Sequence, residues 1–266
     1  MLIFAEMAAK SFTDMIGNRV TISYPPTRII SLVPSQTELL FDLGLREEVV
    51  GITKFCIHPE EWFHAKKRVG GTKTLHFDII RDLNPDLIIA NKEENTREQI
   101  EELAAIFPVW TSDIKTIDDA LSMITKVGDL TGRKEQAGKL VSEIRTGFQG
   151  LLQVESGNKK VAYFIWRNPW MIAGGDTFIS DMLKACGWEN VFSGIDRYPE
   201  ITLDLLKEMQ PELVLLSSEP YPFKEGHIEE IKIALPATKV LLADGEMFSW
   251  YGSRMKLAPE YMKGLL

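Results

Sequence analysis

The sequence predicts an α/β fold: two Rossmann-like lobes with parallel sheets, joined by a single long α-helix, with a ligand cleft between the lobes. Three observations carry this expectation. Apolar strands alternate with helical patterns in both the first and last thirds of the chain. The stretch 116–155 between them holds two amphipathic helical patterns and no strand signal. The segment HFDIIRDLNPDLIIA at 76–90 also returns as TLDLLKEMQPELVLL at 202–216, a shift of 126 positions that pairs Asp78 with Asp204. A repeat of this length points to two similar bodies.

Each element follows from its residues. RIISLV (28–33) is a near-continuous apolar run, the mark of a strand covered on both faces. PSQT leads into Leu39, Leu40 and Leu43 at helical spacing, closed by Gly44. VVGIT (49–53) is a second strand, and Phe77, Ile79, Ile80 and Leu83 mark a short helix. The Asn84-Pro85 turn precedes a strand at 86–90, followed by a helix at 95–106 and a strand at 107–110. These elements make an N-terminal lobe, 1–115.

A helical connector spans 116–155. Ile117, Ala120, Leu121, Ile124, Val127 and Leu130 form one stripe, stopped by Gly132. Ala137, Leu140, Val141, Ile144, Phe148, Leu151 and Leu152 predict one helix of roughly 22 residues, about 33 Å long. Gly138, Gly147 and Gly150 each weaken it by up to roughly 1 kcal/mol, so it must lean on other elements. The polar run at 155–160 ends it. The C-terminal lobe, 156–266, opens with the strand KVAYFIW (160–166). A helix through Phe178, Ile179, Met182 and Leu183 follows, then a short strand at 189–192 and the repeat at 202–216.

Composition removes several function classes. With 30 Lys and Arg against 38 Asp and Glu, the net charge of −8 makes the chain a poor candidate for general nucleic-acid binding, which needs a basic face. Two cysteines, Cys56 and Cys186, are too few for a disulfide framework or a four-cysteine zinc site. No run approaches the ~20 apolar residues that span a bilayer. Glu6 interrupts the apolar start and no Lys or Arg precedes it, so the chain as written carries no export signal.

Open α/β sheets bind ligands where loops leave the carboxyl ends of their strands. The loops so placed are 34–37, 53–58, 91–95, 167–177, 217–223 and 244–254. They supply the candidate ligand-binding residues Gln36, Phe55, Trp166, Arg167, Trp170, Tyr221, Phe223, Trp250, Tyr251 and Arg254, with Phe248 beside them. Trp and Tyr give large rigid contact area with a polar handle, which suits a planar or macrocyclic ligand. The arginines are forked donors for a carboxylate, amide or phosphate. The competing reading places each ring in a core and each arginine in a surface ion pair.

Catalytic signatures are absent: the chain has no GxSxG, P-loop or HExxH, and the expectation is a binding protein, not an enzyme. Gly174-Gly175-Asp176-Thr177 opens a helix and either receives an anion or simply caps it. His58, beside Cys56, and His227, near Glu219, are weak candidates for a bare metal, since no HxH or HxxxH spacing exists. Asp78 and Asp204 open matching helices. They either complement the helix dipole or sit as paired acids facing a two-fold symmetric basic partner.

FTDMIGNRVTI, RIISLVPSQTELLFDLGL, VVGIT, LNPDLIIA, MLKACGWENVF and MQPELVLL together resemble the substrate-binding proteins of ABC importers for cobalamin and ferric siderophores. The resemblance runs from about residue 12 to 254, and RIISLVPSQTELL is its most specific stretch. It implies a monomer outside the cytoplasmic membrane that binds a metal chelate (corrinoid, ferric siderophore or haem) between its lobes. It also implies docking of one acidic residue per lobe on arginines of a membrane permease dimer. The family's two glutamates match Asp78 and Asp204, each one methylene shorter. Where cobalamin binders carry an aromatic residue before the first acid, this chain has Thr72, Lys73 and Thr74. Two other readings compete: a cytoplasmic chelate-handling protein or enzyme reusing the fold, and a bare-metal receptor built on His58 and His227.

Overall fold

The computed structural model describes residues 8–153 and 157–266. The apolar start and part of the polar run at 155–160 therefore lie outside the described residues. The chain forms two compact units.

The first unit comprises residues up to Ile114, then Asp118–Ser142 and Tyr251–Ser253. A hairpin of β1 (Ala8–Thr13) and β2 (Arg19–Tyr24) precedes the main sheet. That sheet contains β3 (Ile29–Ser31), β4 (Val49–Ile52) and β5 (Lys67–Arg68); β6 (Gly70–Gly71) and β7 (Thr74–Leu75) form a separate ribbon. With β8 (Leu87–Asn91) and β9 (Val109–Ser112), the order is β5-β4-β3-β8-β9, every pair parallel. Every residue of β3 and β8 is buried, which is why these strands read as unbroken apolar runs rather than alternating ones. Helices α1 (Pro34–Asp42), α2 (Glu60–Ala65), α3 (Phe77–Leu83) and α4 (Arg97–Ala104) connect the strands. Ile30, Leu32, Val69, Ile80, Ile88 and Leu103 form its core.

Helix α5 (Ile117–Leu130), from Asp118 on, and the first half of α6 (Lys134–Leu151) also belong to this unit; Glu143 onward belongs to the second. The stretch 116–155 is thus divided rather than a third body. The long helix has 18 residues, not 22. Its buried stripe is Ala137, Leu140, Ile144, Phe148 and Leu151, while Leu152 is 67% exposed and adds nothing to the packed face. The helix stops where its apolar support does.

The second unit comprises Lys115–Ile117, Glu143–Trp250 and Arg254–Leu266. Its sheet holds β10 (Lys160–Trp166), β11 (Met171–Ile172), β12 (Glu189–Asn190), β13 (Leu213–Ser217) and β14 (Lys239–Ala243). The order is β11-β10-β13-β14, with β12 extending β10. All pairs are parallel except β10–β11, an antiparallel hairpin whose strands join through Arg167–Trp170. Its helices are α7 (Phe178–Ala185), α8 (Leu203–Met209), α9 (Glu225–Ala234), α10 (Glu246–Ser249) and α11 (Ala258–Lys263). The strand at 189–192 shortens to two residues. Ser193, Gly194 and Ile195, just beyond it, are exposed rather than sheltered by a sheet.

The repeat is structural as well as textual. Helices α3 and α8 have seven residues each, and strands β8 and β13 five each, all at the same shift of 126. Each helix ends on a left-handed residue, Asn84 (φ 42°) or Gln210 (φ 49°), immediately before Pro85 or Pro211. Proline cannot continue the helix, and the left-handed residue turns the chain toward the next strand.

Candidate ligand-binding site

In the second unit, strand β10 passes from a buried interior to an exposed end: Phe164 is buried, Ile165 half-buried and Trp166 39% exposed. Trp166 meets Tyr221 edge to face at 5.5 Å, and Tyr221 meets Phe223 at 4.8 Å. Phe223 stacks in parallel with Trp170 at 6.1 Å, and Trp170 contacts Phe164 at 5.3 Å. The five rings form a ladder from core to surface. Trp170 and Phe223, expected at the ligand, belong to the hydrophobic core cluster. Trp166 and half-buried Tyr221 are the rungs that reach solvent. Arg167 lies over the Trp170 ring at 4.1 Å and pairs with Glu230 at 3.0 Å, so it is both a stacking cation and an ion-pair partner.

A second group gathers where β13 and β14 end. Trp250, 7% exposed, donates from Nε1 to Glu219 Oε1 at 2.7 Å, and Ser249 Oγ donates to the same oxygen at 2.9 Å. The Arg254 guanidinium sits 4.9 Å from the Trp250 ring and pairs with Glu246 at 2.6 Å. Burial pushes the Glu219 carboxyl above its ordinary value; the two donors oppose this, and Glu246 and Asp244 add to it. Phe248 is fully buried 5.1 Å from Tyr163, so this ring is core.

In the first unit, Phe55 is 50% exposed with Lys54 Nζ 5.0 Å from its ring. Gln36 is fully buried, and its Nε2 donates to Ser112 Oγ, tying α1 to the end of β9. Tyr251 is buried at 7% exposure. Gly252 follows it, so close to α1 that an added Cβ would lie 3.1 Å from Ser35 O.

The metal candidates are absorbed into local structure. His227 Nδ1 accepts from Lys224 N at 3.0 Å, and its Nε2 lies 3.3 Å from Tyr221 Oη. Cys56, beside half-buried His58, is buried between the hydroxyls of Thr37 and Thr53 at 3.0 and 3.2 Å. Among the described residues no group of three or more His, Cys, Asp or Glu side chains is placed to hold a metal ion.

The Gly174-Gly175 segment is a close-approach device. The two N–H groups donate to Arg197 O and Ile195 O, both at 2.8 Å, leaving neither for an anion. A Cβ on Gly174 or Gly175 would lie 2.1 or 2.0 Å from a carbonyl oxygen of the 193–197 loop. Thr177 then caps α7 by accepting from Ser180 N. This docking adds residues that the sequence reading passed over. Half-buried Tyr198 and exposed Arg197 sit on the 193–200 loop, which is hydrogen-bonded to β11 through Ile172 N donating to Pro199 O. The available signal was Arg-Tyr-Pro between two elements of the repeat, with no periodicity of its own.

Asp78 and Asp204 each occupy the second position of their helix, with side chains 96% and 87% exposed. Each pairs one turn on, with Arg81 or Lys207, at 3.3 Å. Neither is the N-cap; those positions fall to His76 and Thr202.

Comparison with known proteins agrees with this architecture. The profile of a family described as periplasmic binding protein matches residues 29–234. The vitamin B12-binding protein of Vibrio campbellii is 28% identical over 217 residues, covering 80% of this chain and 78% of the relative. A periplasmic haem-binding protein from Pseudomonas aeruginosa superposes with a TM-score of 0.78 at 20% identity, covering 90% of this chain and 92% of that one. An Fe3+-hydroxamate transport protein from Saccharomonospora viridis gives 0.74 at 20% identity, covering 96% and 98%.

Proposed function

Since the chain belongs to the periplasmic binding protein family, we propose that it is the substrate-binding protein of an ABC-type importer and captures a metal chelate. The observation that carries this reading is the ring ladder ending in exposed Trp166 and half-buried Tyr221, flanked by Arg167. A ledge backed by buried rings offers a preorganised apolar surface with little ordering cost, matched to a corrinoid, haem or siderophore chelate. Trp250 carries Arg254 on its face, and that guanidinium orients polar groups at the ligand's edge. Relatives are named for vitamin B12, haem and ferric hydroxamate, which makes the chelate class the common denominator. In this reading the protein works as a monomer outside the cytoplasmic membrane, performs no catalysis, and presents Asp78 and Asp204 to a permease dimer.

Fluorescence titration with cyanocobalamin, cobinamide, haemin and a ferric hydroxamate tests it. Saturable binding of one of them is expected. Trp166→Ala should weaken it by roughly 1–3 kcal/mol. Failure of all four to bind the wild-type protein, or unchanged affinity in Trp166→Ala, overturns the assignment.

A further inference from the structure

Half-buried Glu219 commits one carboxylate oxygen to two donors. Its Oε1 receives both the Trp250 indole N–H (2.7 Å) and the Ser249 hydroxyl (2.9 Å). Asp244 and Glu246 stand near enough to disfavour its charge, and Arg254 is already paired with Glu246. A half-buried carboxylate beside two other acids is a costly way to hold a loop that a neutral acceptor would also hold. The surrounding backbone nevertheless fixes it. Glu219 O accepts from Ser217 Oγ at 2.5 Å. Gly245 passes so close that a Cβ there would lie 2.6 Å from Glu219 Cγ, so only glycine leaves room for this side chain. The contacts form a chain: Glu219 holds the Trp250 indole N–H, Arg254 lies over that ring at 4.9 Å, and Glu246 pairs with the same guanidinium at 2.6 Å.

We propose that Glu219 is a positioning residue. Its carboxylate sets the plane of the Trp250 indole and thereby aims the Arg254 guanidinium at polar groups on the edge of the bound chelate. This rests on the reading of function given above. It adds that affinity depends on an acceptor oxygen with no contact of its own to the ligand. A charge-assisted N–H to carboxylate bond is shorter and stronger than a neutral one, so it defines the ring orientation more sharply.

The experiment combines nuclear magnetic resonance with titration. The Trp250 indole N–H signal is assigned in a ¹H–¹⁵N spectrum by its disappearance in Trp250→Phe. Glu219→Ala is expected to shift that signal and to weaken binding of whichever probe the wild type takes by about tenfold. Glu219→Gln, which keeps an acceptor, should stay within about threefold. Trp250→Phe and Glu219→Ala should be non-additive when combined, because both remove the same contact. Should Glu219→Ala not fold, Trp250→Phe with Glu219→Gln completes the cycle: Glu219→Gln should weaken binding less in the Phe background than in the wild type. An unmoved indole signal, unchanged affinity in Glu219→Ala, or full additivity overturns the positioning role. Absence of wild-type binding to every probe overturns the functional reading instead, while the indole signal still reports on the Glu219 contact.

Discussion

Asp86 and Glu212, 126 positions apart, perform the same task in their own units: each lies just before a central strand and accepts backbone N–H from the start of the neighbouring strand. Asp86 takes Thr27 N, Thr27 Oγ1 and Arg28 N at 2.8, 2.9 and 2.8 Å. Glu212 takes Lys160 N at 2.9 Å. The backbone answers in kind, with Asp86 N donating to Arg28 O and Glu212 N to Lys160 O. The acid fixes the register in which β3 meets β8 and β10 meets β13. Removing it hands exposed donors to water, and Asp86 gives up more hydrogen bonds. Asp86→Ala should therefore destabilise by ~0.5–1.5 kcal/mol and by more than Glu212→Ala, read from urea unfolding midpoints. Equal or reversed effects would contradict the clamp.

The Gly174-Gly175 pair admits a sharper test. A Cβ on Gly175 would fall 2.0 Å from Ser193 O, a backbone atom that cannot rotate away. Gly194 stands on the opposing loop with nothing within 4 Å of its would-be Cβ. Gly175→Ala should cost ~1–3 kcal/mol, as overpacking does, while Gly194→Ala should stay within ~0.5 kcal/mol. Thermal melts of both variants decide it; equal melting temperatures would show that the loop contact is not tight.

The sequence disclosed the α/β class, the central strands and the repeat, because strands buried on both faces leave unbroken apolar runs such as LIIA and LVLL. It disclosed less where burial is partial. Strand β14, with burial alternating irregularly at a sheet edge, and the exposed strand β1 gave no clear pattern. The ring candidates illustrate a separate limit. Trp166 and Trp170 read alike in sequence, yet one ends a strand in solvent and the other stacks on Phe223 in the core. Side-chain direction at a β-bulge between Phe164 and Trp166 decides which is which, and no spacing rule encodes it. The Glu219–Trp250 contact joins residues 31 apart through tertiary packing alone.

Burial raises the Glu219 carboxyl above its ordinary value, and this has a consequence for stability against pH. The folded state favours the protonated acid, while the unfolded chain ionises in the ordinary carboxylate range. The contribution to stability is therefore fully present below that range and is lost as pH rises through the folded-state value. Glu219→Gln has no such loss. The melting temperature of Glu219→Gln relative to wild type should rise between about pH 4 and about pH 7. A relative melting temperature that falls over that interval would contradict the assigned direction.

Asp78 and Asp204 can be separated from both fold and ligand. Their side chains are almost fully exposed and each makes one i,i+3 ion pair, of a kind that contributes only ~0.2–0.5 kcal/mol. Substituting either by Asn should leave the melting temperature within about 1–2 °C and the chelate affinity unchanged. If the two acids seat on basic sockets of a two-fold permease, charge reversal should act on that encounter alone. Asp78→Lys and Asp204→Lys should each lower chelate uptake by the cognate importer reconstituted in vesicles, and the double variant should lower it further. Raising salt should narrow the gap between wild type and variants by screening the attraction. Uptake unaffected by the double reversal would refute docking through these residues, and a parallel loss of chelate affinity would place them at the ligand instead.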